Sequence, residues 1–408
     1  MAANPNPHPI PLTESEVFIR GFLAANPDLD SSLGPVAIMT DRYTDQEWAA
    51  QIQETERAVM KEVDSGKRAS KVYEGPKMKN GKEALKQLAL TVDHTILKLD
   101  ANSVAIDGLC SEARTEGFKV CFNLVFKTSE RDSFRTLEKH QLTNPKSVCV
   151  RLNWVQRCVA NLKGSPVVVA CVVGFHEGTQ DTYSKLSEAR AAVVAGAAEL
   201  DVVLNHSLLT KHNKPTTPET VIHARDSAID SITAANTVKN SASTVIEDDD
   251  EIPDYSAIYR ELASIRSLCP SPVVLKLILE TSQLNSQQIL AASHLAAAAN
   301  FDFIKTSTGF NGHGATLPHV QLMVGAAEYL AEKRVGARKM DVKASGGVRS
   351  LETAIKMLEA GASRLGTSSG LWIMQEARVK VGEEKGNQEG ERPPQTRLYT
   401  DDSVAGEY

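Results

Sequence analysis

The chain has no apolar run approaching the ~20 residues that span a bilayer. Its six cysteines (110, 121, 149, 158, 171 and 269) form no CxxC pair, and it contains no HExxH or other paired metal-ligand spacing. It has no excess of positive charge: a formal net charge of -6 speaks against a nucleic-acid or membrane-surface protein. The opening "MAANPNPHPIPL" lacks the basic start and apolar stretch of a secretory signal, and the arginines of a transit peptide. Several cysteines lie in apolar, strand-like runs, which suits buried reduced thiols. A cytoplasmic protein without a metal or cofactor is the expectation. With 408 residues, 42% of them hydrophobic, there is material for a sizeable core.

From residue 89 onward, β-branched runs alternate with Ala/Leu/Glu/Lys-rich stretches. The strand candidates are "ALTVDHTIL" (89–97), "SVCV" (147–150), "VVVACVVGF" (167–175), "ELDVVLN" (199–205), "VVLKLILE" (273–280), "DFIKTS" (302–307), "MDVKAS" (340–345) and "SRLGTS" (363–368). Near-continuous apolar runs mark parallel strands covered on both faces. The echo among "AGAAELDVVLN", "AANFDFIKTS" and "AGASRLGTS" suggests repeated helix-to-strand joints, with Gly196 and Gly361 where a helix C′ glycine belongs. Eight such units predict an α/β fold, a (β/α)₈ TIM barrel over residues 81–379, with a doubly wound open sheet as the alternative. "FKVCFNL" (118–124) would make a ninth strand and is assigned to an insertion at 118–146. A second insertion at 211–254 is acidic and polar, and a loose tail covers 380–408. Residues 1–80 form a partly helical N-terminal extension, with an amphipathic helix around "DQEWAAQIQETERAVMKEV". The extension, the acidic loop and the tail are expected to be solvated decoration.

Several strands carry charge where a barrel should be apolar. Alternation groups Lys305 with Phe303 and Ser307, Lys343 with Asp341 and Ser345, Asp201 with Asn205, and Lys276 with Glu280. Singly, each has a plainer reading: Asp201 as a cap, Lys276 as a snorkelling side chain, Lys343 as an ordinary ion-pair partner. Together, near the C-terminal ends of four successive strands, they point to a site. "KASGGVRS" and "GTSSG" follow the seventh and eighth strands, where barrels commonly bind phosphate through backbone N–H groups and a helix N-terminus. The same glycines could simply form tight βα turns. His94 in "VDHT" reads as a hydrogen-bonding residue, not a ligand.

The motifs "DHTILKLDA", "VVGFHEG", "ELDVVLN", "LKLILET", "FIKTSTGFNGHGAT", "KASGGVRS" and "GASRLGTSSG" occur in the order expected of the deoxyribose-phosphate aldolases, which this chain resembles over roughly residues 85–375. The resemblance implies a class I, metal-independent aldolase. It would interconvert 2-deoxy-D-ribose 5-phosphate with D-glyceraldehyde 3-phosphate and acetaldehyde. It assigns Lys305 as the Schiff-base lysine, Lys343 as the lysine that tunes it, and Asp201 as the proton-relay carboxylate. It places Gly346, Gly347, Gly366, Ser368 and Ser369 on phosphate loops, with Lys276 and Thr306 as further substrate-binding residues, and brings a C-terminal tyrosine, here Tyr408, to the site. Two departures stand out. Arg151 and Leu152 follow the cysteine of the second strand where the family often has Asn-Pro, and Phe310 stands where some members carry a phosphate-binding lysine. The implied partner is a small sugar phosphate, with a homodimer left open. The competing readings are a Schiff-base aldolase or transaldolase for another sugar phosphate, and a non-catalytic scaffold.

Overall fold

The computed structural model describes residues 12–27, 38–39, 43–116, 147–210 and 252–382. Eight short runs form the strands β1 (Val92–Thr95), β2 (Ser147–Val150), β3 (Val168–Val173), β4 (Glu199–Val203), β5 (Val274–Ile278), β6 (Phe303–Lys305), β7 (Asp341–Ser345) and β8 (Arg364–Thr367). They are parallel, pair in chain order, and close when β8 returns to β1 with Val92 opposite Leu365. This is the (β/α)₈ barrel, and the open-sheet alternative is excluded.

Before β1 come α1 (Glu14–Ala25), α2 (Asp45–Asp64) and α3 (Lys82–Ala89). The barrel helices are α4 (Ser103–Thr115), α5 (Val155–Asn161), α6 (Thr182–Val194), α7 (Tyr255–Leu268), α8 (Ser286–Ala298), α9 (Leu317–Glu332), α10 (Leu351–Glu359) and α11 (Gly370–Val381). Local signals set their ends. Asp181 accepts from Ser184 N at 2.9 Å to start α6, and Asn285 forms a capping box with Gln288 to start α8. Gly196 and Gly361, at φ 103° and 104°, end α6 and α10 as expected of C′ glycines; Asn300, at φ 57°, does the same for α8. No described helix is long and apolar enough to cross a membrane.

"FKVCFNL" and the 118–146 insertion lie outside the described residues, as do residues 211–251, 383–408 and Tyr408. Asp254, assigned to the acidic insertion, is described: its carboxylate accepts from Ala257 N at 2.8 Å and caps α7. Helix α11 continues to Val381, into what was expected to be the loose tail.

The N-terminal extension is not decoration. The predicted amphipathic helix is α2, and it buries Trp48, Ile52, Thr55 and Val59 against the barrel's outer helices. Trp48 packs on Tyr259 of α7, and Thr55 Oγ1 lies 2.9 Å from His294 Nδ1 of α8. Beyond α2, the Arg68 guanidinium pairs with Glu328 of α9 at 2.5 Å, and Tyr73 donates its hydroxyl to the same carboxylate at 2.8 Å. The apolar stripe of α2 was legible, but its partner surface lies more than 200 residues away in sequence and was not.

Inside the barrel, a layer normally filled by Val, Ile and Leu is ionic. Arg364 of β8 is almost fully buried; Nη1 and Nη2 reach Glu199 at 2.8 and 3.0 Å, and Nη1 reaches Asp93 at 3.3 Å. Its guanidinium also lies over the Phe303 ring, 4.9 Å from the centroid. Arg364→Met fills a similar volume but strips two buried carboxylates of their shared cation. It is expected to destabilise the fold by about 3–5 kcal/mol, read as a lower midpoint in urea unfolding with an unchanged slope.

Candidate active site

Strand alternation carries Asp201 (β4), Lys276 (β5), Lys305 (β6) and Lys343 (β7) to the barrel interior, on four successive strands. Their registers bring them together: Asp201 is opposite Lys276, and Lys305 is opposite Lys343. Asp201 Oδ2 accepts from Lys305 Nζ at 2.9 Å and from Lys343 Nζ at 2.8 Å, while Oδ1 accepts from Lys276 Nζ at 2.6 Å. All four are buried.

The contacts continue into a closed circuit. Lys276 also reaches Glu199 at 2.6 Å, Glu199 holds Arg364, Arg364 reaches Asp93, and Asp93 returns to Lys343 at 2.6 Å. Charge alternates around it: Asp201, Lys276, Glu199, Arg364, Asp93, Lys343. Three carboxylates balance three cations. Lys305 touches this circuit only through Asp201 and is the surplus cation. Protonating it would leave an uncompensated charge in a buried site, which is costly.

The protonation equilibria follow. Burial pushes the Lys305 ammonium below the ordinary lysine range; Asp201 opposes this, and the positive charge of Lys343 adds to it. Burial acts on Lys343 in the same sense, but Asp201 and Asp93 outweigh it and hold that lysine charged. Burial alone would raise the Asp201 carboxyl; the ammoniums of Lys276, Lys305 and Lys343 instead hold it well below the usual carboxylate range. Two lysines on adjacent strands are therefore driven in opposite directions, one toward the amine and the other toward the ammonium. Cys149 lies beside them, its Sγ 3.9 Å from Asp201 Oδ2; burial and that carboxylate push the thiol up to about 11, so it stays neutral.

Above these residues, at the C-terminal mouth, opens a cavity of about 320 Å³. Gly346, Gly347, Gly366 and Ser368 line one side of it, and Lys98 and Asp100 of the β1–α4 loop the other. Ser369 stands one residue further on, as the N-cap of α11, and its N–H donates to Thr367 Oγ1 at 2.9 Å. The glycines make space. A Cβ on Gly314 would lie 2.2 Å from the Gly346 carbonyl carbon, so the close approach of the β6–α9 and β7–α10 loops there requires glycine at 314. A Cβ on Gly366 would lie 3.0 Å from Lys343 Cε, so Gly366 is the hollow through which Lys343 runs to Asp201.

Not every expected binding residue faces the cavity. Lys276 is sealed between Asp201 and Glu199, where it holds the Asp201 carboxylate in place. Thr306 Oγ1 donates to Ser345 O and accepts from Ser345 N, both at 3.0 Å, pinning β6 to β7. Phe310 lines the cavity and stacks on His176, with ring centroids 5.2 Å apart. His94 is hydrogen-bonded, its Nε2 2.7 Å from Glu112. Sequence reasoning missed Asp93, Glu199 and Arg364. The alternation that grouped Asp201 with Asn205 extends equally to Glu199, two residues the other way.

A model of the DeoC/LacD family aldolases matches residues 233–376. A protein of Coccidioides immitis called deoxyribose-phosphate aldolase is 33% identical over 336 residues, covering 82% of this chain and 95% of its own length. One from Bdellovibrio bacteriovorus, with the same name, is 33% identical over 296 residues, covering 72% and 99%. The crystal structure of a putative deoxyribose-phosphate aldolase from Coccidioides immitis superposes with a TM-score of 0.57 at 31% identity, over 83% of this chain and all of that one. On that similarity, spanning nearly the whole of each relative, the chain belongs to the deoxyribose-phosphate aldolase family.

Proposed function

We propose that this protein reversibly cleaves 2-deoxy-D-ribose 5-phosphate to D-glyceraldehyde 3-phosphate and acetaldehyde, through a Schiff base on Lys305 and without a metal. The observation that carries this reading is Lys305 itself, a buried amine left over from a charge-balanced circuit and set beneath a cavity with glycine loops. A free lysine, with a pKa near ~10.4, is a poor nucleophile at neutral pH; a lysine denied its proton is a good one.

Neutral Lys305 attacks the C1 aldehyde of the open-chain sugar. Loss of water from the carbinolamine gives an iminium that withdraws electrons from C2. The C2–C3 bond then breaks as the C3 hydroxyl loses its proton: C3 leaves as the aldehyde carbon of glyceraldehyde 3-phosphate, and the bonding pair forms an enamine at C2. Protonation at C2 and hydrolysis release acetaldehyde and restore the amine. Asp201 and Lys343, which share a hydrogen bond at Oδ2, are the groups placed to move these protons through water. The phosphate sits against Gly346, Gly347 and the start of α11, where backbone N–H groups and the helix dipole favour an anion.

Two outcomes test this. Borohydride reduction with acetaldehyde should trap an adduct on the Lys305 peptide, and Lys305→Leu should abolish both trapping and turnover. In Lys343→Met the circuit keeps three carboxylates but only two cations, so Lys305 should take up the missing proton. Its trapping midpoint should then move up by about two units or more; an unchanged midpoint would show that Lys343 does not tune it. Separately, Ser368→Glu puts a carboxylate in the cavity, so KM for the phosphorylated sugar should rise about tenfold or more while unphosphorylated deoxyribose is little affected.

A further inference from the structure

Glu280 is a buried carboxyl that the mechanism above does not use. It follows β5 with φ at 57°, a left-handed conformation that glycine adopts without strain and glutamate rarely takes. Its side chain is almost fully buried. A strained backbone and a buried carboxyl both disfavour glutamate, so the side chain must supply something that glycine cannot.

Its contacts show what. The β5–β6 ladder ends with Ile278 opposite Lys305. Beyond it, Leu279 N donates to Lys305 O and Thr281 N to Thr306 O, each at 2.9 Å. The Glu280 carboxyl then acts as one more rung, made from a side chain. It accepts from Thr308 Oγ1 and, at 3.2 and 3.3 Å, from Thr308 N. Thr308 Oγ1 in turn accepts from Phe310 N at 3.1 Å. The segment held this way has the reactive lysine at its root, and Thr308, Gly309 and Phe310 form a wall of the cavity.

We propose that Glu280 is a positioning residue for the aldol reaction: by clamping Thr308 it holds the Lys305–Phe310 segment in the geometry that places amine and phosphate on the same substrate. The proposal rests on the aldolase reading and deepens it. Burial raises the carboxyl to about 7, against the Thr308 hydrogen bonds; the titratable groups that face it are Lys305 on β6, which lowers it when protonated, and Glu177 after β3, which raises it. The ionised carboxyl accepts both Thr308 donors. As pH falls through about 7, one oxygen becomes a donor itself and the clamp loosens.

The test compares Glu280→Gly, Glu280→Gln, Thr308→Val and the Gly/Val double variant, each assayed with phosphorylated and unphosphorylated deoxyribose alongside thermal unfolding. Glu280→Gly should fold with a melting temperature little changed, since relief of the backbone strain and of the buried carboxyl offsets the lost Thr308 hydrogen bonds. Its kcat/KM for the phosphorylated sugar should nevertheless fall between about tenfold and about a hundredfold, the scale of misplacing a reacting group by an ångström. Thr308→Val should lose a similar factor, and the double variant no more than the worse single one, because both cut the same link. Glu280→Gln keeps an acceptor and should restore most of the activity. Relative to this variant, the parent's KM should rise as pH falls through about 7. Glu280→Gly within about twofold of the parent, additive losses, or a loss that tracks melting temperature would each overturn the proposal. Absence of any reducible adduct in the parent would instead overturn the aldolase reading on which it rests.

Discussion

Asp201 is the group on which the rest of the site depends. One of its oxygens joins Lys305 to Lys343, and the other binds Lys276. A buried carboxylate that accepts from three ammoniums is stable only if those cations are themselves accounted for. Glu199 and Asp93 do that, with Arg364 between them. The arrangement is held by charge balance. Among the described residues Lys305 is the cation outside that balance, and it shares Asp201 with Lys343 and Lys276. Desolvation pushes its pKa down and the Lys343 ammonium acts in the same direction, while Asp201 opposes them.

The polar circuit demands a particular scaffold. All six of its groups, and Lys305 beside them, sit on strands of a closed barrel, and the register of each adjacent pair fixes their distances. Missing side chains matter as much as present ones. Gly366, on the neighbouring strand, leaves room for both Lys343 and Ser345: a Cβ there would lie 3.0 Å from Lys343 Cε and 2.6 Å from Ser345 Oγ. Gly314 and Gly346 let two active-site loops touch backbone to backbone, where Ala315 N donates to Ser345 O and Gly346 O at 3.1 and 3.0 Å. The same crossing lays the Thr308–Phe310 wall of the cavity beside the glycine loops after β7 and β8, so the segment that follows Lys305 and those loops share one support.

Much of this was legible in the sequence because it is local. Apolar runs gave the eight strands, and charged residues within them gave Lys305, Lys343 and Asp201. The loops after the last two strands could be placed by counting. What escaped depends on distance in sequence. Arg364 looks like a surface residue in "SRLGTS" until β8 closes on β1 and faces Asp93. Lys276 reads as a ligand-facing cation, but Glu199 beneath it completes its coordination. Glu280 hides in "LILET" because only its backbone angle and its reach to Thr308 distinguish it. The N-terminal helix shows its apolar stripe openly, but nothing local says that α7, α8 and α9 will cover it.

That last contact changes where the enzyme begins. Helix α8 is buried along its whole length from Gln288 to Ala298, an alanine- and leucine-rich surface with little on it that water could solvate. Its inner side faces the strands, and α2 is cladding for its outer side. A recombinant version trimmed to residue 81, the first residue of the catalytic barrel by motif, would expose that surface to solvent. It would also strand the carboxylate of Glu328 without Arg68 and Tyr73. Ile19 and Phe22 of α1 are buried in the same way, so the smallest unit that can be handled as a well-behaved protein starts near residue 12, upstream of every strand of the barrel.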